Sequence, residues 1–190
     1  GNIDAKSTEK KIIKAFSSFK HGKAFSKKPI KENQKGPGVN FTFKETDQTH
    51  LVLGFRGYDM FDDRRYALGL LGVILGGNMS SRFFMEIREK LGLAYYVRAS
   101  TQNYTDSGYL AGSAGIPHGE LKRVVGLMIK ILKDVKTRGV SEKEIKFAKD
   151  YLRGSMALSF ESSDEIATFL AEQALFYKKI ETPEELFKNI

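Results

Sequence analysis

The chain contains no cysteine. Disulfide staples and thiolate chemistry are therefore excluded, although secreted and cytosolic proteins can both lack the residue, so no compartment follows. Histidine is scarce, with three in 190 residues: His21, His50 and His118. No two of them stand at an i,i+3 or i,i+4 spacing, and no thiolate is present to complete a set, so no metal-ligand cluster is legible. His118 and Glu120 are neighbours, but one such pair makes no site. No G-x-S-x-G elbow or serine–histidine arrangement marks a nucleophile. Gly76-Gly77 lacks the spacing of a phosphate loop. No apolar run approaches the length of a membrane span. The chain carries no self-sufficient hydrolytic site.

Acidic residues are sparse in the first quarter. Residues 1–48 hold eleven lysines against five acids, whereas the rest of the chain holds twenty basic and eighteen acidic side chains, within a net charge of +8. Arginine, the better bidentate reader of phosphates and bases, is missing from those 48 residues. The lysines spread through a loop with Gly and Pro and accompany no RNA-binding strand signature. They read as a solvated surface, and no nucleic-acid partner is expected. What the chain does have is 41% hydrophobic residues, enough for one domain with a sizeable core.

The periodicities give an element order. Asp4 or Ser7 can cap a helix to about Phe19, with Ile12, Ile13, Phe16 and Phe19 inward and His21-Gly22 as the stop. Val39, Phe41 and Phe43 alternate as a strand, which should pair as a hairpin with a second strand over His50–Tyr58. Asp62 or Asp63 begins a helix over Arg64–Leu75, apolar almost all round and so expected to be deeply buried. A strand from Tyr95 turns at Asp106-Ser107-Gly108 into a partner over Tyr109–Gly115. A long helix from Pro117 to Gly139 carries the inward stripe Leu121, Val124, Val125, Met128, Ile131, Leu132 and Val135. Ser141-Glu142-Lys143-Glu144 is a capping box for a helix to about Phe160. Helices over Asp164–Tyr177 and from Pro183 come next. Runs of helices among four strands predict an α+β fold, with one antiparallel or mixed sheet and helices packed mainly on one face, in a single domain over residues 1–190. Gly1 is not an initiator methionine and the last helix is short, so both ends are expected to be cut.

Between the buried helix and the later strands lies LGGNMSSRFFMEIREKLGLAYYV, residues 75–97. Gly76-Gly77 breaks the preceding helix, Ser80 or Ser81 can cap a new one, and Phe84, Ile87 and Leu91 repeat at helical spacing. Gly92 can end it in the left-handed conformation. Taken singly, Arg88 is a surface arginine and Tyr95 a half-buried tyrosine. A helix followed by a reversal could also bring them to one place. There a guanidinium fork and a phenol can hold a peptide carbonyl or a developing oxyanion.

This stretch resembles the second-domain motif of the pitrilysin/insulinase zinc peptidases, whose relatives include mitochondrial processing peptidase and the cytochrome bc1 core proteins. The matching residues are Gly76-Gly77, Met79-Ser80-Ser81-Arg82, Arg88-Glu89-Lys90 and Gly92-Leu93-Ala94-Tyr95. Gln48-Thr49-His50 before an apolar strand, Gly1-Asn2-Ile3-Asp4 before the first helix, and the element order agree along the chain. The resemblance implies two homologous halves that close around an extended peptide. One half carries zinc on an inverted H-x-x-E-H motif; the other supplies an Arg–Tyr pair, which falls here on Arg88 and Tyr95. No H-x-x-E-H occurs in this sequence. The chain is therefore expected to be the metal-free, substrate-binding C-terminal half, inactive alone, with zinc in an upstream or partner half. An assembly module like the core proteins is the alternative. The short Gly76-Gly77-Asn78 loop lacks the glycine-rich insertion of the non-catalytic processing-peptidase subunit, against that role. Flanking strands expected from the family are missing, so self-association through a raw sheet edge is expected. By the resemblance and the lack of cysteine, a cytoplasmic bacterial enzyme is the expected setting.

Overall fold

A computed structural model describes residues 2–20, 22–23 and 25–189. Its centre is a three-stranded antiparallel sheet of β1 (Thr49–Arg56), β2 (Tyr96–Asn103) and β3 (Gly108–Ile116), in the order β1-β3-β2. β2 and β3 join across the expected turn, where the Tyr104 N–H donates to the Ser107 carbonyl at 2.7 Å. The register aligns Leu51, Ala114 and Val97 in one row and Leu53, Gly112 and Ala99 in another. Because strand side chains alternate, these rows share a face with Leu110 and Ile116, and that face is the core.

Helices cover it. α2 (Arg64–Gly72) runs into a π-helical turn, Val73–Gly77, and a second π-helix spans Phe84–Glu89. α3 (Leu121–Arg138) lays Val124, Met128 and Ile131 against the sheet beside Leu75, Phe83 and Ile87. α4 (Glu142–Ser159) packs Ala148 onto Val73 and Ile74, and α5 (Ser163–Phe176) and α6 (Pro183–Asn189) complete the described chain. The opposite sheet face leaves Val52 72% exposed. The fold is α+β with its core helices on one face.

Three expectations change. Residues 39–43 form no strand and no hairpin; β1 pairs with β3 instead, and the sheet has three strands rather than four. Val39, Phe41 and Phe43 are 94%, 76% and 82% exposed, so the alternation makes an apolar face without a ladder to belong to. α1 (Ala5–Phe16) stops short of Phe19 and buries no residue, so Ile12, Ile13 and Phe16 face out rather than in. Its cap is Asp4, whose Oδ1 accepts the Ser7 N–H at 2.8 Å. The stop expected at His21 lies outside the described residues. Finally, α2 is only half-buried along its first turns, and full burial is confined to Gly72–Gly76. Asp63 holds its N-cap position without a side-chain bond, and the Asp62 carboxylate before it accepts the Arg64 N–H at 2.9 Å.

Candidate substrate-binding site

The site is built at the junction of the second π-helix and β2. The glycine pair before it has a steric reason. A Cβ on Gly76 would stand 2.1 Å from the Ala99 backbone nitrogen, so only glycine lets the helix end press onto β2. Asn78 then starts the new helix: its side-chain oxygen accepts the Ser80 N–H at 2.8 Å, and its carbonyl accepts the Ser81 hydroxyl at 2.5 Å. Ser81 holds the position before the helix, its carbonyl accepting the Met85 N–H at 2.9 Å, but its hydroxyl turns back to Asn78 instead of accepting from the first turn.

The inward stripe also shifts. Phe83 and Ile87 are fully buried, Phe84 is partly buried and Leu91 is 41% exposed, instead of the expected Phe84, Ile87 and Leu91. The Lys90 N–H donates five residues back to the Met85 carbonyl at 3.0 Å, and this widened turn rotates the next residues about the helix axis. Gly92 ends the helix with φ of 60°, its N–H donating to the Arg88 carbonyl at 3.0 Å. The chain reverses, and the Tyr95 N–H donates to the Gly115 carbonyl at 2.8 Å, docking Tyr95 onto β3.

Arg88 and Tyr95 therefore flank one fixed reversal, and both are exposed. The Arg88 guanidinium lies 5.2 Å from the Phe84 ring centroid, while its neighbours Lys90 and Glu86 pair with each other at 2.5 Å. Among the described residues, neither Arg88 nor Tyr95 makes a side-chain hydrogen bond or ion pair, and no bond links the two. The reversal leaves a guanidinium fork and a phenol without polar partners.

Among the described residues no group of three or more His, Cys, Asp or Glu could hold a metal ion. His118 is committed elsewhere: Nε2 donates to the Thr46 carbonyl at 2.7 Å, so Nδ1 accepts from the Thr49 hydroxyl at 2.9 Å. His50 Nδ1 shares a 3.1 Å hydrogen bond with the Tyr96 hydroxyl. Among the described residues no helix is long and apolar enough to cross a membrane.

Residues 1–152 match the family described as the peptidase M16 inactive domain. The chain belongs to the M16 family. It is 35% identical over 147 residues to the uncharacterized zinc protease YmxG of Bacillus subtilis, covering 77% of this chain and 36% of that protein. It is 34% identical over 194 residues to an uncharacterized zinc protease of Rickettsia felis, covering 100% and 45%. A protease of Helicobacter pylori shares the fold with a TM-score of 0.82 at 21% identity, over 92% of this chain and 43% of that one. The M16 chain thus spans less than half the length of these relatives.

Two features of this M16 domain are not legible in the sequence. Arg82 anchors the second π-helix: its Nε and Nη2 donate to the two Glu144 carboxylate oxygens at 2.6 and 3.0 Å. Half of the signal is present, since Glu144 belongs to the predicted capping box, but a partner 62 residues away is invisible to local pattern. The second is the group His50, Tyr96 and Arg98 on the helix-free sheet face. A cleft of about 1200 Å³ lies beside α2, α5 and the β2–β3 turn and includes neither Arg88 nor Tyr95.

Proposed function

We propose that this chain is the substrate-binding, metal-free half of an M16 zinc endopeptidase, a single domain that closes against a zinc-bearing half in the same polypeptide or in a partner. The observation that carries this reading is the pair of exposed side chains without polar partners, Arg88 and Tyr95, on either side of the Gly92 reversal. The relatives' description as zinc proteases and this family's description as an inactive domain support it. In the proposal an extended peptide lies between the halves. Arg88 donates to the substrate carbonyl beside the scissile bond, and Tyr95 adds a second donor on a rigid ring. Both interactions strengthen as negative charge gathers on that oxygen. β2, an edge strand, offers free backbone groups for the rest of the peptide. The zinc and its chemistry belong to the other half.

The test uses the full-length two-half protein. Arg88→Ala is expected to lower kcat about a hundredfold with a smaller change in KM, the pattern of an interaction made chiefly in the transition state. Tyr95→Phe is expected to lower kcat in the same sense. Turnover equal to wild type in both variants removes the pair from the mechanism.

A further inference from the structure

Among the described residues, one cation on the helix-free face of the sheet has no ion-pair partner. β1, β2 and β3 contain no Asp or Glu. Their charged side chains are Arg56 and Arg98, with His50 able to join them. Arg56 is taken by Glu32 at 2.6 Å. Arg98 is exposed and, among the described residues, makes no ion pair or hydrogen bond; its guanidinium carbon sits 5.0 Å from the Tyr96 ring centroid. That ring is itself held. It stacks on His50 with centroids 5.9 Å apart and planes 26° apart, and its hydroxyl bonds His50 Nδ1. Gly115 stands between His50 and Tyr96 in the register, and a Cβ there would come within 2.5 Å of the Tyr96 ring. Ser113 is small and lies directly beside Arg98. A stacked arginine over a small-residue floor keeps its planar fork open, the geometry that takes a carboxylate bidentately.

We propose that Arg98, braced by Tyr96 and His50, selects an acidic side chain of the extended peptide. The inference rests on the substrate-binding role proposed above. Arg98 follows the Gly92 reversal on β2 and, two residues from Tyr96, shares the helix-free face with it, while Val97 and Ala99 turn to the core. Charge complementarity names the occupant: an acid-free sheet with one free guanidinium favours an acidic peptide and repels a basic one. His50 and Tyr96 are positioning residues.

The experiment uses the full-length two-half protein and a set of amidated peptides in which a single Glu, or its Gln isostere, is walked along the sequence. Cleavage gives kcat/KM, and fluorescence anisotropy after chelation of zinc gives binding. One position is expected where Glu is favoured over Gln about tenfold, the size of one charge-assisted hydrogen-bonded contact. Arg98→Ala should erase that preference, costing the Glu peptide about tenfold and the Gln peptide less. Arg98→Glu should reverse it in favour of Lys. Cleavage without a Glu preference, a preference that Arg98→Ala leaves intact, or an equal loss for Glu and Gln peptides overturns the role of Arg98 and leaves the peptidase reading standing. A Glu preference in binding that Arg98→Ala removes, without any cleavage, upholds Arg98 and overturns the peptidase reading. Neither binding nor cleavage overturns both.

Discussion

Glu144 serves two elements at once. It accepts from both nitrogens of the Arg82 fork and from the Ser141 backbone N–H at 2.8 Å, tying the second π-helix to the start of α4. The Arg82 hydrogen bonds, with those from Ser141, lower its pKa from the ordinary 4.5 to about 2. A carboxylate depressed on folding contributes stability that is fully present above its unfolded pKa and is lost as pH falls toward its folded one. Denaturant melts from pH 6 down to pH 2 should therefore show a decline that sets in near 4.5 and runs toward about 2. Arg82→Ala should remove about 1–2 kcal/mol at neutral pH, after discounting for solvent screening, and flatten that decline. An equally steep decline in the variant would show that another acid governs it. The capping box is legible because Ser141 and Glu144 are three residues apart; Arg82 is not, because only the packed fold brings it there. Arg88 and Tyr95 are legible as a motif. Sequence alone does not show that both lack polar partners.

At the scale of elements, periodicity holds in α3, whose Val124, Met128 and Ile131 are buried, and fails where the helix pitch changes. Gly92 and Gly139 end their helices at φ of 60° and 75°, where glycine is the least strained residue. The inward stripe of the second π-helix departs from the expected one because a 3.6-residue period does not apply to a turn closed five residues back. The glycine pair before it marks a contact rather than a loop alone. Gly76→Ala should force the helix end off β2, since its Cβ would sit 2.1 Å from a backbone nitrogen that has no freedom to retreat. The expected cost is about 3 kcal/mol or more, at the upper end of overpacking substitutions, read as a lowered urea midpoint. Gly126→Ala is the control, because nothing lies within 4 Å of its added methyl. Equal stability in the two variants would refute the close-contact account.

For the whole molecule, the sheet face and its edges matter most. The α+β class and the one-sided helix layer are legible from element order, but the partner of β1 is not. Residues 39–43 and β1 are adjacent in sequence and both alternate, yet β1 takes β3 from far along the chain. Alternation specifies a face, not a partner. With β3 in the middle, β1 and β2 each present an edge with no strand beyond it among the described residues. Such edges template pairing between molecules, so this chain alone is expected to self-associate. Sedimentation at rising concentration checks this, and a monomer throughout would contradict it. The central claim concerns one oxygen atom held by two side chains that do not touch each other in polar contact. It is tested most directly by a double-mutant cycle of Arg88→Ala and Tyr95→Phe in the full-length two-half protein, read in kcat/KM and in stability. The account predicts losses in kcat/KM that fail to add by about 1 kcal/mol, because both groups act on the same carbonyl, with additive effects on stability. Additive losses in kcat/KM, or turnover equal to wild type, would contradict it.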